Sequence, residues 1–451
     1  MKKAVLVIMA LLLVLGAGLC GVAWFRYQST HVRVAGEYHS TDLLYLDLRG
    51  VSLTDQEIDA VRQRMPDATI LWNLSFQDRL YPSDTDTLVV KTLSDADVDT
   101  LDAFTELETV NAVGCRDYDQ LLELQNRHPD CQIYYDVELG EERFSQDARE
   151  ITVTGLTRDQ IPLLLYLPRL WRVHLVNPKA DAEAVLGLKE QYPNVRFDWE
   201  YRVRGLTISQ RDTEADFTGM TVTRSTIKRI VSYFPNLEKV LMLDSGLDNE
   251  TMAAFREELR EQCKLVWIVD CGGIPVRTDE TAFIPIKHHV YYFHDEDVYN
   301  LRYCEDMVAV DLGHMTFHDL EWVEHMPNLK YLILAHTTVT DISSLATCKN
   351  LLFLELDWTG IRDYEPLLGC TALEDLNLGL TYGDYEIIGQ MTWLKNLWWK
   401  DRGHKALLYL MEKLPDTNLM FNPPITVGAG WRRLDNYYDM RDALGMHYME
   451  G

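Results

Sequence analysis

One phrase, Leu-x-x-Leu-x-Leu, returns every 22 residues in the C-terminal half of this chain. It occupies residues 329–334, 351–356 and 373–378, and Met307 starts a weaker copy. A fixed period of this length carrying this phrase is typical of leucine-rich coils stacked into an α/β solenoid. A solenoid buries its core between neighbouring coils and presents a long exposed sheet, an architecture used mainly for binding.

A second period, of about 64 residues, runs through the N-terminal two-thirds of the chain. Its marker is an aromatic residue that ends a short strand after a helix, as seen at Trp72, Tyr135, Trp199 and Trp267. A degraded leucine phrase marks one further strand in each long unit. These phrases occupy residues 43–48, 107–112, 170–175 and 237–242. Each long unit therefore reads as two leucine-rich coils.

Local signals place helices and hairpins inside the long units. Thr54 and Glu57 form a capping box in sequence, in which each side chain bonds to the other residue's backbone amide, and Thr157 begins a second box. Glycine-containing turns follow the aromatic strands at Gly140, Gly205 and residues 272–273. They predict β-hairpins, which ordinary leucine-rich coils lack.

The chain is thus predicted to have four segments. They are an N-terminal membrane anchor or signal peptide (1–26), degenerate superrepeats (27–300), regular 22-residue repeats (301–401) and a C-terminal segment (402–451). Within the last segment, residues 428–444 predict a loop followed by a short aromatic-rich helix. The end of a solenoid needs a cover for its last coil, so we predict that this segment is a cap.

Residues 4–25 carry no charge and follow two lysines. As a helix they span roughly 33 Å, enough to cross a bilayer, and Trp24 and Phe25 stand where an interfacial aromatic belt forms. We predict a single-pass membrane anchor with an extracytoplasmic C-terminal region. The alternatives are a cleaved signal peptide with secretion, or a lipoprotein attached at Cys20.

Charge and cysteine content exclude some classes of partner. The chain has 70 acidic and 43 basic residues, a net charge of -27, which argues against nucleic acid or an anionic membrane surface as the main partner. Seven cysteines beyond Cys20 are widely spaced without a CxxC pair, so neither a disulfide framework nor a zinc site is indicated. Cys348 and Cys370 hold equivalent positions in consecutive coils and are predicted to be stacked, buried thiols, with a disulfide as the alternative.

Residues 307–401 resemble the internalin-like class of bacterial leucine-rich repeat proteins, in which an Asp-Ile step follows the strand as Asp341-Ile342 does here. This chain departs from the class at the strand turn, where threonine replaces the usual asparagine. The replacements are Thr337, Thr359 and Thr381. A threonine hydroxyl still bonds to the turn backbone. The resemblance implies extracellular recognition of proteins or glycans.

Residues between the leucines of each phrase point onto the concave sheet. In the 22-residue coils these positions carry large apolar groups among carboxylates. The candidate ligand-binding residues are Tyr331, Ile333, Phe353, Trp398, Asp311, Glu355, Asp357 and Asp375. Exposed apolar groups rimmed by charge mark binding surfaces, so we predict non-covalent binding of a protein or glycan here. The alternative is that the aromatics pack together, or beneath the C-terminal segment, as extra core.

No catalytic chemistry is indicated. The sequence contains no nucleophile elbow, HExxH, phosphate loop or dinucleotide glycine motif. Histidines and acids cluster at residues 288–297 without a recognised metal spacing, so we interpret them as a solvated strand end. We therefore predict no enzyme activity, no metal and no cofactor. The competing interpretation of the whole chain is a structural spacer or envelope-assembly component without a dedicated ligand.

Overall fold

The computed structural model describes Met9, Leu15 and residues 22–399, 404–421 and 430–446. The chain forms two compact units, Met1–Glu200 and Tyr201–Gly451. In each unit short parallel strands alternate with helices or turns, so that the chain advances by one coil at a time. The predicted α/β solenoid is confirmed. The predicted segment boundaries at residues 26, 300 and 401 stay predictions.

The first unit contains small parallel sheets separated by antiparallel hairpins. Its parallel strands are Tyr45–Asp47, Thr69–Leu71, Thr87–Val89, Thr109–Asn111, Gln132–Tyr134, Glu150–Thr154, Arg172–Val176 and the start of Arg196–Val203. Its hairpins join His31–Val34 to Glu37–Ser40, Asn73–Phe76 to Arg79–Pro82, and Asp136–Leu139 to Glu142–Ser145. Its helices are residues 22–30, Asp55–Arg64, Asp95–Leu101, Tyr118–Arg127, Ala182–Gln191 and the 3-10 helix Arg158–Tyr166.

The second unit begins with strand Leu206–Ser209, a three-stranded parallel sheet and one hairpin. The sheet strands are Glu214–Asp216, Lys239–Leu241 and Lys264–Val266, and the hairpin joins Ile268–Cys271 to Ile274–Arg277. A seven-stranded parallel sheet follows. Its strands are Ala282–Phe283, Ala309–Asp311, Tyr331–Ile333, Phe353–Glu355, Asp375–Leu378, Asn396–Trp399 and Asn418–Phe421.

Helices and 3-10 turns connect these strands. The α-helices of the second unit are Arg224–Tyr233, Asn249–Leu259, Asp295–Tyr299, Tyr385–Ile388, His404–Lys413 and Asp435–Ala443. The 3-10 turns are Pro285–His288, Asn300–Tyr303, Glu321–His325, Ser343–Thr347, Glu365–Gly369 and Trp431–Arg433. The 22-residue coils use 3-10 turns because so short a repeat leaves only about five residues for its return helix.

The register of the seven-stranded sheet stacks the leucine phrases directly. Leu332 pairs with Leu354, and Leu354 pairs with Leu376. All three side chains are buried, so each coil covers the core of the next. The burial of each leucine stabilises the fold by roughly 1.5–3 kcal/mol.

The threonines at the strand turns behave as predicted. The hydroxyls of Thr337, Thr359 and Thr381 each donate to the backbone carbonyl three residues earlier, at 2.7, 2.8 and 2.7 Å. The Cys348 and Cys370 thiols are also buried and free, as predicted. Burial raises the pKa of Cys348 to about 11 and that of Cys370 to about 12.

The predicted capping boxes and glycine hairpins are present. Glu57 N donates to Thr54 Oγ1, and Thr54 N donates to the Glu57 carboxylate at 2.9 Å. Gly140 closes its hairpin with a φ of +62°, and a Cβ there would lie 2.1 Å from the Thr154 carbonyl oxygen. The hairpin after Trp72 is also present, but Gln77 and Asp78, not glycine, supply its two left-handed residues.

Two predicted segments remain, the membrane anchor at residues 4–25 and the strand end at residues 288–297. The predicted anchor, residues 4–25, lies mostly outside them; within them, no helix has both the length and the apolar character to cross a bilayer. The predicted strand end at residues 288–297 is wrong. A 3-10 turn ends at His288, and Asp295–Tyr299 is a helix.

Candidate functional site

The predicted ligand face of the seven-stranded sheet is covered by the chain itself. We call the side of the sheet that bears Tyr331, Phe353 and Trp398 the sheet face, and residues 430–446, which lie across it, the strap. The three aromatic side chains are only 7, 0 and 3% exposed. The expectation that they are exposed is therefore wrong, and the alternative, packing beneath the C-terminal segment, is the arrangement found.

Aromatic contacts hold the strap on the sheet face. The Trp431 ring centroid lies 4.9 Å from that of Phe353 and 5.8 Å from that of Trp398. The helix Asp435–Ala443 places Tyr437 6.0 Å from Phe353. The helix itself was predicted. Its predicted position, as a cap on the end of the solenoid, is wrong, because these contacts place it across the face of the sheet.

The carboxylates predicted as a rim are mostly buried, and two of them, Glu355 and Asp375, contact the strap. Glu355, Asp357 and Asp375 are buried, whereas Asp311 and Ile333 are half-buried. Trp431 Nε1 donates to Glu355 Oε2 at 2.9 Å. Burial raises the pKa of Glu355 to about 7, and the carboxyls of Asp311 and Asp357 add to that rise.

Hydrogen bonds from two further side chains, Asn436 and Lys287, attach the strap. Asn436 Nδ2 donates to Asp375 Oδ2 and to Glu374 Oε2, both at 3.1 Å. Lys287 Nζ donates to the Leu444 carbonyl oxygen, and also to that of Gly445 at 3.1 Å. The strap is therefore fixed at its start, middle and end.

A stack of aromatic rings follows the strands and was missed in the sequence. His314, His336 and Trp358 occupy equivalent positions 22 residues apart, each with a positive φ. Ring centroids are 4.6 Å apart for His314 and His336, and 5.0 Å apart for His336 and Trp358. Trp358 is 59% exposed. The 22-residue period is the sequence signal for this column, which lies one position beyond Asp357 and its equivalents in the preceding coils.

One parallel sheet of the first unit differs from the seven-stranded sheet, because one of its faces is exposed to solvent. Thr87–Val89, Thr109–Asn111 and Gln132–Tyr134 form a parallel sheet in which Val89, Asn111 and Tyr134 share one row. The residues beneath that row, Leu88, Val110 and Ile133, are buried. We call the exposed group Val89, Asn111, Val113 and Tyr134 the open face.

The open face combines apolar and polar groups on rigid strands. Val89 is 59% exposed, Val113 is 44% exposed and Tyr134 is 45% exposed. Tyr134 also donates from its hydroxyl to Gln132 Oε1 at 2.7 Å, which orients the ring. The strand alternation that identifies the face residues of the regular coils also identifies these residues in the sequence.

Metal chemistry finds no support in the described residues. Among them, no group of three or more histidine, cysteine or acidic side chains is arranged to hold a metal ion. The cluster at residues 288–297 instead serves local structure: Asp297 accepts from the His294 amide at 2.7 Å, and Asp295 accepts from the Asp319 amide at 3.0 Å.

No protein-family model matches this chain, and no curated protein matches it. Solved structures similar to it include two bacterial internalins and a bacterial leucine-rich repeat protein. An internalin C2 from Listeria monocytogenes has 18% identity, covers 32% of this chain and 73% of its own, and has a TM-score of 0.23.

An internalin from the same organism has 12% identity, with coverage of 79% of this chain and 89% of its own and a TM-score of 0.24. A leucine-rich repeat protein from Leptospira interrogans has 14% identity, coverage of 74% and 93%, and a TM-score of 0.26. The assignment of leucine-rich coils to this chain rests on its own strand register and buried leucines.

Proposed function

We propose that this protein binds a protein partner non-covalently through the open face of its first unit. The observation that carries this proposal is a contrast between two sheets. Face residues of the seven-stranded sheet are mostly buried beneath the strap, whereas Val89 and Tyr134 are exposed on strands of the same type. A binding protein needs its apolar contact residues accessible, and here the open face supplies them.

The composition of the open face favours a protein partner. Tyrosine gives a large contact area while losing little conformational freedom on binding, and its hydroxyl keeps a polar contact. Asn111 adds an amide between Val89 and Tyr134 in the same row. A small apolar centre with polar neighbours is the usual anatomy of the energetically important part of a protein interface.

Affinity capture with residues 27–451 tests the proposal. Intact envelopes and culture medium provide the partners, and the comparison is a Val89→Ser/Tyr134→Ala double variant. The matched control is Leu165→Ser, which removes an apolar side chain that is 66% exposed elsewhere in the same unit. We expect the parent and the control to hold the same protein and the double variant to hold it at least tenfold more weakly.

Other outcomes separate the alternatives. Equal capture by all three proteins would move the site away from the open face, towards Trp358 or the hairpins. A captured species that glycosidase treatment releases would identify a glycan as the ligand. Absence of any specific partner would favour the structural spacer. The sheet face with Tyr331, Phe353 and Trp398 stays a proposed ligand surface for a state in which the strap is displaced.

We also propose that the protein is exported and held at the membrane by residues 4–25. Support comes from the sequence alone, in the uncharged run that follows two lysines. Cell fractionation should recover the full chain with membranes, and protease added to intact cells or spheroplasts should degrade residues 27–451. Recovery in the medium of a chain that begins near residue 24 would instead establish a cleaved signal peptide.

A further inference from the structure

The strap is attached as a small amphipathic segment rather than as another coil. Tyr437, Met440 and Leu444 lie on one side of its helical stretch and are buried on the sheet face, as is Trp431 at its start. These residues share one cluster with Ile284, Ala309, Tyr331, Phe353 and Trp398. The strap therefore covers most strands of the sheet by a single layer of side chains.

Glu355 lies at the centre of this contact with an unfavourable set of charges around it. It faces the carboxyl of Asp311, two coils earlier, and that of Asp357, two residues later in its own coil. From the strap it faces the Trp431 indole and Arg432. The indole N–H bonds to the Glu355 carboxylate at 2.9 Å. Two acids and one cation thus surround a buried acid, an arrangement that disfavours a third negative charge.

Two buried donors under the strap lack partners. Asn377 Nδ2 and Trp398 Nε1 have no hydrogen-bond partner among the described residues, although both side chains are buried. Each buried donor left without a partner costs about 1–3 kcal/mol. Asn377 lies between Glu355 and Trp398 in one row of the sheet, so both donors belong to the row that Trp431 contacts.

We propose that the strap is a pH-dependent cover, which closes the sheet face while Glu355 is neutral and opens it as Glu355 ionises. A neutral carboxyl still offers an oxygen to the Trp431 N–H, so the closing hydrogen bond survives protonation. An ionised carboxylate must remain beside Asp311 and Asp357 when the strap is closed, but gains water when it opens. The inference does not depend on the open face of the first unit.

The direction of the pH effect follows from the two states of Glu355. Its pKa is about 7 beneath the strap and near 4.5 for the ordinary exposed group. Closure is therefore fully favoured below about pH 4.5 and loses stability as the pH rises through 7. The closed-to-open ratio therefore falls across that range.

Other acids near the strap act mainly in the same direction. Burial also raises the pKa of Asp311 and that of Asp375, which lies against Asn436. Glu374 acts in the opposite direction, because hydrogen bonds from Lys395 and Asn436 lower its pKa. Glu374 is less buried than Glu355, so its contribution is screened by solvent.

Hydrogen–deuterium exchange of the full chain at about pH 5 and about pH 8 tests the proposal. After correction for intrinsic exchange rates, we expect protection of Asp435–Ala443 amides to fall at least tenfold at the higher pH, while protection of Phe353–Glu355 falls less. In Glu355→Gln, which stays neutral and keeps an oxygen for Trp431, strap protection should change much less with pH than in the parent, with Asp311 and Asp375 supplying the remainder. Glu374→Gln is the matched control and should retain the parent's pH dependence.

Two results would overturn the proposal. One is strap protection in the parent that is equal at both pH values, and the other is the same fall in Glu355→Gln as in the parent. Trp431→Phe provides a second test in case Glu355→Gln does not fold. It retains an aromatic ring but removes the indole N–H that bonds to Glu355. Its strap should be less protected than the parent's at about pH 5, and equal protection would contradict the assigned role of the Trp431–Glu355 bond.

Discussion

At the scale of single residues, the threonines at the strand turns give the sharpest test of the coil. Thr359 is buried and donates to the Leu356 carbonyl at 2.8 Å. Thr359→Val keeps the shape of the side chain and removes the donor, so we expect a loss of about 1 kcal/mol in the free energy of unfolding. Denaturant unfolding measures it.

The control for this substitution is Thr340→Val, at an exposed position in the preceding coil. It should change the free energy of unfolding by less than about 0.5 kcal/mol. Equal destabilisation by both variants would contradict the role of the Thr359 hydrogen bond, because the loss would then follow from replacing any threonine by valine. Asn at position 359 should be tolerated, since its amide also reaches turn carbonyls.

At the scale of elements, the capping box at Thr54 predicts a local effect. At the start of the helix Asp55–Arg64, the Thr54 hydroxyl oxygen accepts a hydrogen bond from the Glu57 amide, and the Thr54 amide donates one to the Glu57 carboxylate. We expect Thr54→Ala to destabilise the fold by about 1 kcal/mol, because the Glu57 amide loses its side-chain acceptor and the Glu57 carboxylate loses the Thr54 hydroxyl. Thermal unfolding followed by circular dichroism measures this, with Ser52→Ala, at a neighbouring exposed position, as the unchanged control.

Elements defined by local signals were predicted well, and those defined by distant contacts were not. The leucine phrases located the strands at Tyr331–Ile333 and Phe353–Glu355, and Thr54 located the start of its helix. The strap was found as a helix but misplaced, because its position depends on Trp431 meeting Glu355 from 76 residues away. No periodicity along the chain encodes such a contact.

The same limit explains the candidate site. Strand alternation correctly put Tyr331 and Phe353 on the sheet face, but a face position states only where a side chain points. Whether it is exposed depends on what covers the sheet. The pattern that identified the covered face also identifies Val89 and Tyr134, so the open face lay within reach of the sequence once both sheets were compared.

At the scale of the whole molecule, every cysteine from residue 27 onwards is a buried free thiol. Burial raises the pKa of each, to about 12 for Cys304 and Cys370. Thiols held protonated and away from solvent react slowly, so native residues 27–451 should take up less than about one equivalent of a maleimide at neutral pH. Unfolding in denaturant should release all seven for labelling, measured by mass. Rapid labelling of the native chain would contradict the stacked core.

The strap also limits how many coils this part of the chain contains. It meets Trp398 with Trp431 at one end and Lys287 with Leu444 at the other, across most strands of the seven-stranded sheet. Each added coil would separate these anchors by about 4.8 Å, and a strap of fixed length would lose one of them. Ordinary solenoids gain or lose repeats freely over evolutionary time. In this array the strap contacts coils near both ends of the sheet, so duplication or deletion of a coil would require a longer or shorter strap.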